Sequence, residues 1–271
     1  MPEYRILESI GRGMTSQVYR AQDPSGRLVA IKELLPEHRK DPKRVQGLDR
    51  EVALMRDIRH PNTVTLIEFD RPRFRMVLEY LPVSLRTVMQ KEPFHYEKRL
   101  GWSLDVTEAL IHLHDRKLVH KDIKPENIFI GEGGKAKLGD FGFAEREPGP
   151  LGRLMKRFRK PRVQGTLAYL SPEQATQHPL TTKADIFSWG GVLYELFAGR
   201  LPFNALPMGG GAMGIVEQIL TADPRPPREL NGIMDRELED LILSCLSKSR
   251  GKRPSAPYVK VVLKRLLGKI R

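Results

Sequence analysis

The residues from His120 to Asn127 carry a set of side chains suited to phosphoryl transfer. Within this segment the chain places the carboxylate of Asp122, the ammonium group of Lys124 and the carboxamide of Asn127. Asp122 can accept the proton of an attacking hydroxyl, Lys124 can neutralise the moving phosphoryl group, and Asn127 can hold a metal ion. Pro125 and the apolar run before the segment predict an exposed loop. We therefore interpret this segment as a candidate catalytic loop.

Two upstream segments add chemistry for binding a nucleotide. Gly11, Gly13 and Ser16 lie between two strand-like runs, where glycines let backbone amides approach phosphate oxygens. Lys32 ends an apolar strand pattern and suits the α- and β-phosphates of ATP. A buried lysine needs a counter-charge, and Glu51 on the next predicted helix can supply it.

Asp140-Phe141-Gly142 follows another strand-like run. Asp140 would chelate Mg²⁺ between the β- and γ-phosphates of ATP, and Asn127 would hold a second metal ion. The tripeptide has little meaning alone, but its place after Asp122 and Asn127 favours a metal-assisted transfer.

The elements that must position these residues follow from the hydrophobic pattern. Alternation over residues 4–34 predicts strands, and Asp41-Pro42 opens a helix with one apolar stripe. Leu81-Pro82 breaks the pattern like a hinge. Further strands are predicted near 64–67, 76–78, 128–130 and 136–138, and helices near 96–117, 182–198, 212–221, 235–246 and 255–268. The order predicts an α+β fold with a small β-rich part followed by a larger, mainly helical part.

Composition limits the class of protein. The 271 residues are 40% hydrophobic and 29% charged, which is typical of a globular protein. We expect no transmembrane segment, because no run approaches the ~18 apolar residues of a span. Without an export signal, and with one cysteine, Cys245, that we expect to be buried, a reducing cytoplasmic location is predicted.

The formal net charge of +13 favours acidic partners. Aromatic residues are only 7% of the chain and do not alternate with basic residues as in surfaces that stack bases. We therefore expect no nucleic-acid partner.

In this order the motifs resemble a eukaryotic-type Ser/Thr protein kinase domain, over residues 4–268. The sequence Gly-Thr-x-x-Tyr-Leu-Ser-Pro-Glu-Gln at 165–174 resembles bacterial members more than animal ones. The resemblance implies a single domain over 1–271 with a bilobal kinase-like fold. An N-lobe at 1–80 would carry the ATP-binding sheet, and a C-lobe at 81–271 the catalytic loop and substrate site. It also implies ATP with Mg²⁺, or Mn²⁺ as an alternative, and a protein substrate with a Ser or Thr acceptor.

The same resemblance assigns roles to individual residues. The catalytic residues would be Asp122, Lys124, Lys32, Glu51 and Thr166, whose hydroxyl would bridge Asp122 and Lys124. The nucleotide would contact Gly11, Gly13, Ser16, Val18, Ala30, Lys32, Leu78, Glu79 and Phe129, with Leu78 as the gatekeeper. The metal ligands would be Asn127 and Asp140. Asp185 would anchor the catalytic loop, Glu173 would pair with Arg253, and Met55, Leu66, His120 and Phe141 would stack as a spine.

Two departures from the family pattern concern regulation. Lys121 stands where the family usually has an arginine that grips a phosphorylated activation loop, and a lysine lacks the bidentate fork. Residues 143–165 contain no Ser, Thr or Tyr but carry seven cations: Arg146, Arg153, Lys156, Arg157, Arg159, Lys160 and Arg162. We hypothesise that activation-loop phosphorylation is not the switch, and that this basic segment binds an acidic protein partner or an acidic surface of the chain itself.

Substrate preference is left open by the sequence. Glu126 and Glu195 match positions that recognise arginine upstream of the acceptor in basophilic relatives, whereas the basic segment favours acidic substrates. Two other functions compete with an active protein kinase: a pseudokinase or basic scaffold that binds acidic partners or nucleic acid, and a small-molecule kinase. Because the kinase motifs fill the chain, no separate sensor domain is expected.

Overall fold

A five-stranded antiparallel sheet forms the N-terminal part of the computed structural model, which describes residues 3–149, 167–203 and 211–270. The strands are β1 (Arg5–Arg12), β2 (Ser16–Gln22), β3 (Leu28–Leu34), β4 (Leu66–Asp70) and β5 (Arg75–Glu79), in the spatial order β1-β2-β3-β5-β4. The central strand β3 is the most buried of the five, as its run of apolar residues predicts.

Helix α1 (Pro42–Asp57) connects β3 to β4. Its start follows the prediction: the Asp41 side chain accepts a hydrogen bond from the Lys43 amide, and Pro42 occupies the first turn, where no amide hydrogen is needed. The helix buries one face, which includes Glu51 and Met55. This placement directs a carboxylate toward the sheet.

The remainder of the described chain is mainly helical. The helices are α2 (Leu85–Lys91), α3 (Tyr96–Asp115), α4 (Pro172–Ala175), α5 (Thr182–Ala198), α6 (Gly211–Thr221), α7 (Arg236–Cys245) and α8 (Ala256–Ile270). Short strands β6 (Val83–Ser84), β8 (Ile128–Ile130) and β9 (Ala136–Leu138) form one small sheet, and β7 (Leu118–Val119) pairs with β10 (Glu145–Arg146). The predicted α+β architecture, a β-rich part followed by a helical part, is confirmed, while the boundary at residue 80 stays a prediction.

Close helix packing organises the helical part. Helix α5 is buried along almost its whole length, and a Cβ on Gly190 would lie 2.7 Å from the Cβ of Cys245 on α7. Only glycine therefore allows the two helices to approach this closely. Cys245 is a buried free thiol, as predicted. Helix α8 buries its apolar face, including Val259 and Leu263, and contacts α3.

No helix in the described ranges is both long enough and apolar enough to cross a membrane.

Candidate active site

The three catalytic-loop side chains predicted from sequence lie together. Nζ of Lys124 is 2.7 Å from Oδ2 of Asp122, and Nδ2 of Asn127 donates to the same oxygen at 2.9 Å. Asn127 also donates to the backbone carbonyl of Asp122 at 2.8 Å. The loop follows β7 and ends in a single 3₁₀ turn, Pro125–Asn127. Asp122 is thus a buried carboxylate with one oxygen oriented by two donors. The prediction of an exposed loop is wrong: among residues 120–127 only Glu126 is exposed, because the internal hydrogen bonds of the loop and the packing of His120 turn the other side chains inward.

The backbone of the loop is held by Asp185, a fully buried residue of α5. Its two carboxylate oxygens accept hydrogen bonds from the amides of His120 (2.9 Å) and Lys121 (3.0 Å). Lys121 has a φ of 70°, a left-handed conformation that a non-glycine residue adopts at a cost. The side chain of Gln174 donates to the Lys121 carbonyl at 2.8 Å. These bonds secure an unfavourable turn next to Asp122.

His120 links the catalytic loop to the segment that carries Asp140. The Asp122 amide donates to Nδ1 of His120 at 3.3 Å, so we assign the ring hydrogen to Nε2, which then donates to the Gly139 carbonyl at 3.0 Å. The ring of Phe141 stands edge-on to that of His120, with centroids 5.1 Å apart. Met55 and Phe141 belong to one apolar cluster, against which Leu66 packs. The four residues expected to form a spine therefore lie in one packed region.

Lys32 connects the sheet, helix α1 and the Asp140 segment. Its Nζ lies 2.7 Å from Oε1 of Glu51 and 2.8 Å from Oδ1 of Asp140. Burial alone would lower the pKa of Lys32, but the attraction of Glu51 and Asp140 outweighs burial and raises it. Lys32 lowers the pKa of Asp140 to about 2. Burial raises the pKa of Glu51 in spite of Lys32.

The residues expected around the adenine share one face of the sheet. Ala30 precedes Lys32 by two positions on β3, Val18 pairs with Lys32 across β2 and β3, and Leu78 pairs with Ala30 across β3 and β5. Because side chains alternate along strands and cross-strand partners point the same way, these residues lie on the face from which Lys32 reaches Asp140. Val18, Ala30 and Leu78 therefore form an apolar surface, here called the apolar wall, and Lys32 lies at one end of it.

Phe129 and Glu79 flank this wall. Phe129 lies on β8, and a Cβ on Gly139 would come within 3.1 Å of its ring, so glycine is needed there. The carboxylate of Glu79 accepts from Lys137 at 2.8 Å and from the Thr65 amide at 2.7 Å. Because these partners occupy the carboxylate of Glu79, this residue would contact a nucleotide through its backbone amide or carbonyl group.

The glycine turn joins β1 to β2 beside the same wall. Gly11 pairs with Val18 across the two strands, and the Gly13 amide donates to the Ser16 carbonyl at 2.8 Å. The turn is a β-hairpin that starts next to the apolar wall. If a nucleotide placed its base on this wall, its phosphates would lie beside the turn.

The metal ligands expected at Asn127 and Asp140 have suitable donor atoms. Both hydrogen bonds of Asn127 to Asp122 use Nδ2, which leaves Oδ1 to face elsewhere. Asp140 turns one oxygen to Lys32, and its other oxygen can serve a cation. A carboxylate, an amide oxygen and substrate phosphates form the ligand set that Mg²⁺ prefers. The residues therefore fit Mg²⁺, although the described ranges hold no cluster of three or more His, Cys, Asp or Glu that could bind a metal unaided.

One predicted catalytic residue and most of the predicted basic segment cannot be placed. Thr166, like the cations from Arg153 to Arg162, lies outside the described residues. The expected pairing of Glu173 with Arg253 is confirmed, at 2.7 and 2.9 Å.

Three contacts near the site were not predicted from the sequence. Lys121 forms an ion pair with Glu145 on β10, at 3.0 Å. Arg86 on α2 bonds to both Glu126 and Glu195, each at 2.7 Å. The hydrophobic pattern predicts no helix at 85–91, although Ser84 is a signal for one: its side chain caps the helix by accepting from the Thr87 amide.

Comparison with known proteins agrees with this geometry. A sequence model of the protein kinase domain matches residues 4–262. The chain is 32% identical over 250 residues to serine/threonine-protein kinase PrkC of Bacillus subtilis, covering 90% of this chain and 37% of PrkC. It is 30% identical over 264 residues to serine/threonine-protein kinase pkn2 of Myxococcus xanthus, covering 94% of this chain and 31% of pkn2.

A third relative is similar in length to this chain. Serine/threonine-protein kinase Aurora-1 of Arabidopsis thaliana is 31% identical over 259 residues, covering 93% of this chain and 83% of Aurora-1. The chain thus spans less than two thirds of PrkC and pkn2 but most of Aurora-1.

Proposed function

This chain belongs to the serine/threonine protein kinase family, and we propose that it is a catalytically active member. The reaction would transfer the γ-phosphoryl group of ATP to a Ser or Thr hydroxyl of a protein substrate. The observation that carries the proposal is the pair of contacts to the Asp122 carboxylate, which is held by Lys124 and Asn127 within one short loop.

Each site residue would have a separate role in the transfer. An acceptor hydroxyl placed against Asp122 would lose its proton to the carboxylate as its oxygen attacks the γ-phosphorus, while the bond from that phosphorus to the β,γ-bridging oxygen breaks and ADP leaves. Lys124, already 2.7 Å from Asp122, would offset the negative charge of the moving phosphoryl group. Lys32 would bind the α- and β-phosphates, held in place by Glu51. Asn127 and Asp140 would hold Mg²⁺, whose positive charge would offset the negative charge of the phosphate oxygens.

The filled site argues against a pseudokinase. Lys32, Asp122, Asn127 and Asp140 are all present, and the side chains are paired as a transfer requires. A small-molecule kinase is disfavoured by the Glu173–Arg253 pair, which the resemblance associates with protein kinases.

Activity should be tested as Mg²⁺-dependent transfer from ATP to a Ser/Thr peptide library. Asp122→Asn should lower the rate by about 10²–10⁴-fold, since general-base catalysis is worth that much, while ATP binding persists. Asp140→Asn should remove both metal dependence and activity. Asp115→Asn, an exposed residue at the end of α3, is the control of equal charge change. Absence of transfer by the wild-type protein, with ATP still bound, would favour the pseudokinase alternative.

We further propose that the enzyme works without phosphorylation of its activation segment. Residues 143–165 lack any Ser, Thr or Tyr. The ion pair of Lys121 with Glu145 supports this proposal, because it gives Lys121 a carboxylate from the start of the same segment. Pairing of β10 with β7 brings Glu145 beside the catalytic loop. An acidic partner for the cations from Arg153 to Arg162 stays a prediction.

Phosphosite mapping tests this regulatory proposal. After incubation with ATP, the protein should carry no phosphate between 143 and 165, and treatment with a phosphatase should leave its activity unchanged within about twofold, a difference of only ~0.4 kcal/mol in barrier height. Strong activation by phosphate on Thr166 would contradict the proposal.

A further inference from the structure

Two carboxylates beside the catalytic loop are bound by a single arginine of the same chain. Nε of Arg86 donates to Oε1 of Glu126 at 2.7 Å. The other two guanidinium nitrogens donate to Glu195, at 2.7 and 3.2 Å. Arg86 therefore directs all three guanidinium nitrogens to these two acids, and Nη2 also donates to the hydroxyl of Tyr169.

The degree of burial differs between the two carboxylates. The side chain of Glu195 is 11% exposed and that of Glu126 is 43% exposed, with Arg86 between them at 24%. The hydroxyl of Tyr169 also donates to Glu195. Arg86 is the cationic partner of this nearly buried carboxylate, and its removal would leave Glu195 with the Tyr169 hydroxyl as a neutral donor.

The cluster includes Glu126, a residue of the catalytic loop itself. Glu126 precedes Asn127 in the loop and follows Asp122 by four positions. Because an extended peptide advances about 3.3 Å per residue, a substrate whose hydroxyl reaches Asp122 would lay residues a few positions away over Glu126. A basic side chain there would meet the cluster formed by Arg86, Glu126 and Glu195.

We propose that Arg86 determines substrate specificity by occupying, from within the chain, the place where a substrate arginine would bind Glu126 and Glu195. The proposal rests on the proposed kinase function and names its substrate class: peptides with no requirement for arginine near the acceptor. To bind the buried Glu195, an incoming arginine would have to displace Arg86, exchanging one charged hydrogen-bond pair for another with no net gain. Of the two opposing signals in the sequence, the one from Glu126 and Glu195 is therefore cancelled by Arg86.

Removing Arg86 should leave the carboxylates of Glu126 and Glu195, here called the acidic pocket, available to a substrate arginine. We would compare wild-type protein with Arg86→Gln and Arg86→Lys, using peptides that carry arginine or glutamine at each of the four positions on either side of a Ser acceptor. The wild-type protein should treat each pair alike, within about threefold. Arg86→Gln should prefer arginine at one or more positions by about 10–100-fold in kcat/KM, since a charge-assisted hydrogen bond contributes ~1.5–3 kcal/mol. Arg86→Lys, which keeps the charge without the fork, should show a smaller preference.

Two control variants test whether a new preference for arginine peptides comes from the acidic pocket. Arg86→Gln combined with Glu126→Gln should lose much of the new preference, because one carboxylate of the pocket is gone. Arg225→Gln removes the same charge from an exposed pair with Glu229 and should leave the preference unchanged.

Binding of non-reactive peptides separates this inference from the proposed function. The same peptides with Ala in place of Ser would be titrated by fluorescence anisotropy, and folding of each variant checked by circular dichroism. If the wild-type protein transfers no phosphate but Arg86→Gln binds arginine peptides more tightly, the proposed function fails and the inference stands. If transfer is robust and the folded Arg86 variants gain no preference in either assay, the inference is overturned. If Arg86→Gln does not fold, an unchanged preference of Arg86→Lys overturns it.

Discussion

Arg253 and Glu173 form a buried bidentate ion pair, with guanidinium-to-carboxylate distances of 2.7 and 2.9 Å. Their side chains are 0% and 2% exposed. Arg253 also donates to the carbonyls of Ser247 and Lys183, both at 2.8 Å. The pair therefore fixes helix α4, next to the catalytic loop, to the residues before α8.

Arg253→Met should lower the free energy of unfolding by about 3–5 kcal/mol, because it leaves the buried Glu173 carboxylate without its partner. Urea unfolding followed by circular dichroism measures the loss. Arg253→Met combined with Glu173→Gln should recover part of it, since no unpaired charge then remains. Arg225→Gln, whose ion pair is 57% and 52% exposed, should change stability by less than about 1 kcal/mol. Equal losses for the two arginines would contradict the role of burial.

Asp185→Asn should impair the catalytic loop. The new amide group can offer only one acceptor oxygen to the two amides of His120 and Lys121, and its NH₂ would face one of those donors. The unfavourable φ of Lys121 would then lose part of its support, since only the bond from Gln174 to the Lys121 carbonyl would be unaffected. We expect kcat to fall by about 10²-fold, the cost of a small misplacement of a catalytic group, with little change in the KM for ATP. Hydrogen exchange at the amides of His120 and Lys121 should become faster. Unchanged exchange together with reduced kcat would contradict this explanation.

Lys32→Met should destabilise the protein in a pH-dependent way. Burial already raises the pKa of Glu51, and without Lys32 it would rise further. A group whose pKa is raised on folding stabilises the fold below its unfolded pKa and loses that contribution as pH rises through the folded value. We therefore expect a loss of about 3 kcal/mol at pH 8 and a clearly smaller loss at pH 5, because Glu51 can take up a proton at the lower pH.

Urea unfolding of wild-type and variant protein at both pH values measures this difference. Lys40→Met, at an exposed lysine, is the matched control and should show a small loss of similar size at pH 5 and pH 8. A Lys32→Met loss that does not change with pH would mean that Glu51 stays charged or becomes solvated.

Gly190→Ala should destabilise the protein by about 1–3 kcal/mol, although alanine is the better helix former, because of overpacking. The added methyl would lie 2.7 Å from the Cβ of Cys245. Gly268→Ala on α8 is the matched control: a Cβ there has no neighbour within 4 Å, so stability should rise slightly. Thermal unfolding of both variants gives the comparison. A stabilised Gly190→Ala protein would show that α5 and α7 can separate without loss.

The predicted site residues that the structure brings together are those related by local spacing or by sheet alternation. Asp122, Lys124 and Asn127 are at most five positions apart, so a single turn brings them together. Val18, Ala30 and Leu78 share a face because β2, β3 and β5 are adjacent and in register. Helix α1 was predictable because its cap and its apolar stripe agree.

The contacts that the sequence did not predict form only when separate secondary-structure elements pack together. Arg86 is 109 positions from Glu195, and its helix α2 has only seven residues, too few for a clear amphipathic period. Glu145 reaches Lys121 only because β10 pairs with β7, and both strands are two residues long. Neither strand is long enough to be recognised from alternation. The sequence therefore shows that Lys121 and Glu145 are charged but not that they form an ion pair.

The ion pair of Lys121 with Glu145 predicts a charge-swap result. Lys121→Glu places two carboxylates near each other and should lower kcat/KM by about 10-fold, through repulsion of β10 from the catalytic loop. Combined with Glu145→Lys, the pair is restored with opposite polarity, and activity should return to within about threefold of wild type. Limited proteolysis should show faster cleavage after residue 143 in the single variant only. If the double variant is no more active than Lys121→Glu, then Lys121 acts through a contact other than Glu145, and this ion pair does not support activity without phosphorylation of the activation segment.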